Sequence, residues 1–316
     1  MIKPQLIKFW NEFRKGIRHE DSKFLVQTGI KVSVISLFVS TVVYSAMFQV
    51  MRLNYAFFKA SGIPDLLDYE VFFDYLMTEA LDNLPIIFGF HILLFFVGAY
   101  VGWLILRPFR RMGEYCDKVI ENPNTEYLVD EFSTYKLFTR FSEFFFQHIR
   151  ESRRKGELQS SSIPPQFLKI HQPVSDQIFM LHFGLLLVIV AISSTVFIVE
   201  NSSHMFTSMV ELATKLLTGS KVSSRYLVQQ MFVMDDLIRL TIGLVTVSYL
   251  ALGFHLYSKV SGAAFGIFST MRSFMKGNYS SRVHLIGYSN IREYTRKLNK
   301  YLDYIENNLV KQSPKG

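Results

Sequence analysis

The chain has 316 residues, of which 49% are hydrophobic, 15% aromatic and only 19% charged, with 34 Lys and Arg against 26 Asp and Glu. This composition excludes intrinsic disorder, a collagen-like repeat and a disulfide scaffold; the lone cysteine, Cys116, excludes an intrachain disulfide and a Cys-based zinc site. A net charge of +8 would suggest nucleic acid in a soluble protein, but its distribution along this chain points to no nucleic-acid partner.

Residues 1–23 place Ile2, Leu6, Phe9, Trp10, Phe13 and Ile17 at helical spacing among six Lys and Arg. That pattern predicts an amphipathic helix, lying on the inner leaflet or on the protein's own cytoplasmic part. Four uncharged runs follow: Val32 to Met51, Asn83 to Leu106, Gln177 to Val199 and Leu240 to Ser258. Their lengths of 20, 24, 23 and 19 residues are each enough for a helix to cross about 30 Å of hydrocarbon. Cytoplasmic segments of membrane proteins are enriched in Lys and Arg. Here 1–23, 107–176 and 258–316 hold 27 of them, and the loops 52–82 and 200–236 hold five, leaving out Lys31 and Arg239. The expected protein is a multi-pass inner-membrane protein with both termini cytoplasmic.

The layout is tandem. A first transmembrane pair (24–106) leads to a cytoplasmic helical segment (107–150) and a linker (151–176) containing Pro164 and Pro165. A second pair (177–258) leads to a second segment (259–316). Both halves have the same direction, unlike the inverted repeats of many transporters.

Both cytoplasmic segments carry heptad spacing. In the first, Pro108 precedes Phe109, Met112, Cys116 and Val119; the sequence ENPN then breaks the helix, and Leu137, Phe141, Phe144 and His148 form a second stripe. In the second, Phe265, Phe268, Met271 and Met275 precede Lys276-Gly277-Asn278, where Gly277 suits a left-handed helix cap. A connector SSRVHLIGYS follows, and then Ile291, Tyr294, Leu298, Tyr301, Ile305 and Asn308 at three-four spacing.

Membrane helix, short helix, a connector running from a glycine to an arginine, G-x-x-x-x-R in this chain, and second heptad helix resemble a HAMP domain, the relay module of bacterial chemoreceptors and sensor kinases. The connector is similar at Gly277 and Arg282, with Val283 and Leu285 as apolar anchors, and the second helix keeps Ile291, Glu293 and Asn299 of the family pattern. Ser289 and Asn290 stand where the family has an acidic pair, and the proline near the start of the first helix is missing. The first segment keeps that proline as Pro108 and the acidic pair as Asp130-Glu131, but has Asn122-Pro123-Asn124 in place of the connector glycine.

The resemblance implies an all-α, four-helix membrane protein with two cytoplasmic HAMP-like hairpins. It implies relay residues Pro108, Phe109, Met112, Glu131, Phe265, Phe268, Met271, Met275, Gly277, Arg282, Ile291, Glu293, Leu298 and Asn299. HAMP modules are parallel four-helix bundles built from two helix pairs. The pairs can come from a homodimer or, in this chain, from its own two halves.

Other chemistry is sparse. His91, His182 and His255 lie in the apolar runs, where ionisable groups are functional candidates. A haem between His182 and His255 is one option, and hydrogen bonding to backbone is the commoner one. The sequence shows no nucleotide-binding, nucleophile-elbow or metal-ligand motif, so no enzyme, metal or cofactor is expected. Six residues follow Val310, so the expected output is a separate cytoplasmic signalling or assembly protein. The function expected is non-enzymatic signal relay. The rivals are an assembly scaffold of a membrane complex and a small transporter or b-type haem protein.

Overall fold

The computed structural model describes residues 20–62, 68–128, 135–168, 177–216 and 221–310. Over these residues the chain is helical, with no strand. The helices are α1 (Glu20–Ala60), α2 (Tyr69–Asp82), α3 (Leu84–Glu121), α4 (Lys136–Lys155), α5 (Pro165–Leu168), α6 (Gln177–Leu216), α7 (Lys221–Gln229), α8 (Met231–Met275) and α9 (Arg292–Ile305). A 3-10 turn at Ser289–Ile291 leads into α9, and a π-helical turn at Glu306–Val310 extends it. Four stretches within Ser22–Ala60, Tyr69–Glu121, Phe179–Lys215 and Arg225–Met275 are long and apolar enough to cross a membrane, as expected of a multi-pass membrane protein. The expected amphipathic helix falls mostly on residues 1–19, outside the described residues, as do Asp130 and Glu131.

One expectation is corrected by the helix lengths. The sequence predicts each second span and the following short helix as separate elements, but both pairs are continuous. Helix α3 has 38 residues and α8 has 45. At about 1.5 Å per residue each is far longer than the hydrocarbon core. The charges at Arg107 and Lys259 end the apolar runs, not the helices. Helix α3 even continues through Pro108, which has no N–H to give the carbonyl of Leu104.

The chain divides into two compact units. One comprises residues 29–98 and 186–252. Here α1 and α3 approach so closely that a Cβ on Gly98 would lie 2.8 Å from Cβ of Val32, and one on Gly29 would lie 2.7 Å from the carbonyl oxygen of Phe95. Small residues permit such backbone approach where lipid supplies no hydrophobic drive for helix association. Polar groups reinforce the packing. The Tyr249 hydroxyl donates to the carbonyl of Val32 at 2.9 Å, and the Tyr44 hydroxyl donates to Oδ1 of Asn201 at 2.9 Å. Phe90 stacks on Phe197 with centroids 3.8 Å apart. Phe38, Phe88, Phe96, Val196, Val247 and Leu250 point outward, the apolar exterior that a hydrocarbon surround accommodates.

The other unit comprises residues up to Thr28, Ala99–Leu185 and Gly253–Gly316. It brings both expected hairpins into one body. The stretch predicted as a linker is packed over its first part. Ile163 and Phe167 are buried, and the Phe167 ring lies against Phe141 and Phe268. The amide of Ser161 donates to the carbonyl of Met275 at 3.0 Å.

Candidate functional site

Four helical segments form the candidate site: residues 107–121 of α3, α4, residues 259–275 of α8, and α9. Ring contacts set their relative direction. Phe109 meets Phe138 at 5.0 Å and Tyr115 meets Phe146 at 4.5 Å, so residue numbers rise together along α3 and α4. Phe141 stacks on Phe268 at 3.8 Å and Phe145 meets Phe274 at 6.3 Å, which makes α4 and α8 parallel too. Arg110 reaches the Tyr294 hydroxyl, and Asp117 pairs with Lys297 at 3.0 Å, which makes α3 parallel to α9. All four segments run the same way.

A parallel helix pair needs a connector that returns along its length. In the first hairpin Arg153 donates to the carbonyl of Pro123, Arg150 pairs with Glu126 at 2.7 Å, and Tyr127 lies against Phe146. As the connector number rises, its partner on α4 falls, so this segment runs backward. In the second hairpin Leu285 lies over Gly266 and Tyr288 over Gly262, again in reverse order.

The second connector is fixed by three of the expected residues. Gly277 ends α8 at φ +98, with its amide donating to the carbonyl of Phe274 and that of Asn278 to Ser273. These two bonds make a Schellman cap, which needs a residue tolerant of left-handed backbone. The side-chain amide of Asn299 clamps Val283 from both sides: Nδ2 donates to the carbonyl at 3.0 Å, and Oδ1 accepts from the N–H at 2.8 Å. Arg282 donates to Asp303 and Glu306 on α9 and to the carbonyls of Tyr279 and Ser281. Its guanidinium thereby ties the connector to the last turn of α9, in the fork geometry arginine provides.

The expected core residues are placed as follows. Phe109, Met112, Phe268, Met271 and Leu298 are fully buried; Met275 and Ile291 nearly so, and Pro108 is buried. Phe265 is only half-buried, and Glu293 is part of a surface pair with Lys297. Burial opposes the charge on Lys297, but the hydrogen bond and charge of Asp117, followed by those of Glu293, outweigh it and raise its pKa. Asn308 is exposed, so the α9 stripe ends at Ile305.

The α4 stripe is displaced from the expected one. Phe138, Phe141, Ser142, Phe145, Phe146, Ile149 and Ser152 are buried, whereas Leu137, Phe144 and His148 are half-exposed. Sequence reasoning also missed Tyr127, Tyr135 and Phe167, aromatic residues outside any heptad that fill the space between helices. Their only signal is a large ring inside a stretch otherwise rich in turn residues.

The centre of the body is closely packed around buried side chains. Cys116 is fully buried, and burial pushes its thiol well above the ordinary value, with nearby Asp117 adding to the shift. Burial likewise raises the Tyr115 phenol to about 12, and it raises the Tyr301 phenol as well. Such shifts keep these groups neutral at physiological pH.

The three histidines of the apolar runs sit in different surroundings. His91 is buried, with Nδ1 2.7 Å from the carbonyl of Ile87 one turn earlier. His182 and His255 lie on exposed sides of α6 and α8. Among the described residues no three His, Cys, Asp or Glu side chains gather as metal ligands would. The chain matches no family model, no curated protein and no solved structure.

Proposed function

We propose that this protein is a non-enzymatic relay of the inner membrane, in which helix displacements in the bilayer are read out as changes in packing of a cytoplasmic HAMP-like body. One observation carries the reading. Two helices that begin as apolar spans, α3 and α8, run unbroken into a single body where all four long segments are parallel and each hairpin reverses through a connector. A scaffold needs no parallel pairs, since antiparallel hairpins with short loops bury the same surface with less chain. Parallel pairing makes a shift of either span act directly on the packed seam.

On this reading the chain supplies both helix pairs itself. Phe141 on Phe268 and Lys297 on Asp117 take the place that a second protomer occupies in a homodimeric module. The 27-to-5 division of Lys and Arg supports a cytoplasmic position for the body and for both termini. The seam mixes Phe with Met112, Met271 and Met275, and methionine adapts to altered packing. Two arrangements within a few kcal/mol of each other are therefore accessible, as a relay requires. The output is a separate cytoplasmic signalling protein that recognises one of the two arrangements.

The test is a distance measurement. Spin labels on exposed positions Lys118 and Lys300, with Cys116 replaced by serine, report α3 against α9 in nanodiscs of different bilayer thickness. A relay gives two distance populations whose ratio changes with thickness. A single distribution unmoved by the bilayer overturns the reading in favour of a static scaffold.

A further inference from the structure

Across the end of the apolar run of α3, one helical face carries Tyr100, Trp103, Arg107, the adjacent pair Arg110 and Arg111, and Glu114. The last five line a cleft of about 310 Å³, far more than the ~10–15 Å³ needed by one water. Tyr100 stacks on Trp103 with centroids 5.8 Å apart, and the Arg107 guanidinium sits 5.5 Å over the Trp103 ring. Tyrosine and tryptophan collect at the level of lipid headgroups, and arginines one turn further lie at the level of the phosphates. Glu114 closes the far end, so the positive zone is confined to a single depth.

We propose that this cleft binds the phosphate of an anionic phospholipid from the adjoining leaflet. Trp103 packs on the glycerol and upper acyl region, and Arg107, Arg110 and Arg111 hold the phosphodiester by charge-assisted hydrogen bonds. A soluble phosphate would use the same guanidiniums but would have no use for the aromatic pair. A bare topology signal would need the charges alone, without the ring beneath Arg107 or the cleft. Arg110 also links the site to α9, since its Nε lies 3.5 Å from the Tyr294 hydroxyl. The site stands on its own residues and does not require the relay.

The chain has two tryptophans, Trp10 and Trp103, so a W10F variant makes Trp103 the sole indole reporter. The full chain is reconstituted in phosphatidylcholine with increasing brominated phosphatidylglycerol or brominated phosphatidylcholine, and Trp103 quenching is read. At about fivefold per arginine near an anionic surface, three arginines predict a preference for brominated phosphatidylglycerol of tenfold or more. R110Q/R111Q brings that preference close to one, R110K/R111K retains part of it, and R154Q at the far end of α4 leaves it unchanged. Continued protection of Cys116 from thiol reagents verifies that each variant is folded. Equal quenching by the two lipids, or an R110Q/R111Q variant that behaves as the parent, overturns the proposal. Relief of phosphatidylglycerol quenching by millimolar glycerol phosphate would overturn it in favour of a soluble phosphate, and absence of relief supports the lipid.

Discussion

The two hairpins have the same course but hold it by different means. In the second, a side-chain amide and a guanidinium take over the backbone bonding of the connector: Asn299 clamps Val283, and Arg282 forks to Asp303 and Glu306. In the first, Arg153 donates to the carbonyl of Pro123, and the buried Ser142 hydroxyl on α4 has no hydrogen-bond partner among the described residues. The connector is held by rings and rim charges instead: Tyr127 between Tyr115 and Phe146, and Glu126 against Arg150. Directional bonds fix one register, whereas aromatic packing tolerates several. The first hairpin is therefore expected to be the more adaptable half, and it meets the second at Phe141 and Phe268.

The sharpest way to break this comparison is to remove that meeting point. Phe141 and Phe268 are both fully buried and stacked. Truncation of a buried Phe to Ala costs about 3–5 kcal/mol. The expected outcome of F268A is not confined to its own hairpin. Cys116, on the other hairpin, should label with a thiol reagent more than about 100-fold faster, since each 1.4 kcal/mol of opening is a factor of ten. F141A/F268A should recover about 0.5–1.5 kcal/mol relative to the sum of the single variants. If Cys116 stays protected in F268A, the halves fold independently and the shared seam is not a mechanical link.

Next in size is the clamp. N299A leaves the N–H and carbonyl of Val283 without partners in a residue only 5% exposed. At about 1–3 kcal/mol for a buried group left unsatisfied, the loss should be roughly 2–4 kcal/mol. It should appear first as faster hydrogen exchange around residues 279–287. On α4 of the first hairpin, S142A removes a buried hydroxyl that has no hydrogen-bond partner among the described residues and should be neutral or stabilising by up to about 1 kcal/mol. Equal losses from the two substitutions would erase the distinction between the halves.

This asymmetry explains what was legible in the sequence. Helix α9 has one consistent stripe, and Ile291, Tyr294, Leu298, Tyr301 and Ile305 are all buried as their spacing predicts. Helix α4 contains Phe141, Phe144, Phe145 and Phe146, so more than one stripe fits, and the pattern alone cannot choose among them. Contacts with Phe109, Phe268 and Phe274 select 138/141/145/149. Residues 151–176 read as a polar, proline-containing linker because their buried apolar anchors, such as Ile163 and Phe167, are too few for any periodicity. Charge marks where an apolar run ends, while a helix continues as long as its next residues still pack.

A smaller contrast lies in the helix caps. Gly277 at φ +98 ends α8, and Gly156 at φ +73 ends α4, each with the paired bonds of a Schellman cap. An alanine in left-handed backbone costs about 1–2 kcal/mol. G277A should reach the upper value, because the clamped connector behind it cannot relax. G156A should remain at the lower one, because the strap that follows is anchored by few side chains. Denaturant midpoints of the two variants in the same detergent would rank them, and the reverse ranking would place the flexible half in the second hairpin.

The smallest expected effect is a pH dependence confined to the first hairpin. His148 on α4 is partly buried, and burial lowers its pKa below the ordinary 6.5. The carbonyl of Gln159 and the charge of Glu151 oppose the shift, and Lys155 adds to it. The unfolded chain therefore binds a proton in a range where the folded chain does not. Stability is undiminished above pH 6.5 and declines as the pH falls through 6.5 toward the lower folded-state value. Glu126 contributes in a different window: its hydrogen bond to Arg150 and then the Arg150 charge lower its pKa from 4.5, so its contribution is lost only below that pH. Between pH 7.5 and 5.5, then, only His148 of the two titrates. The melting temperature should fall by about 1–2 °C over that interval, and H148N, which cannot take up the proton, should flatten the slope. A slope that survives H148N would place the titrating group outside the first hairpin. That result would remove His148 from the electrostatic contrast between the two halves.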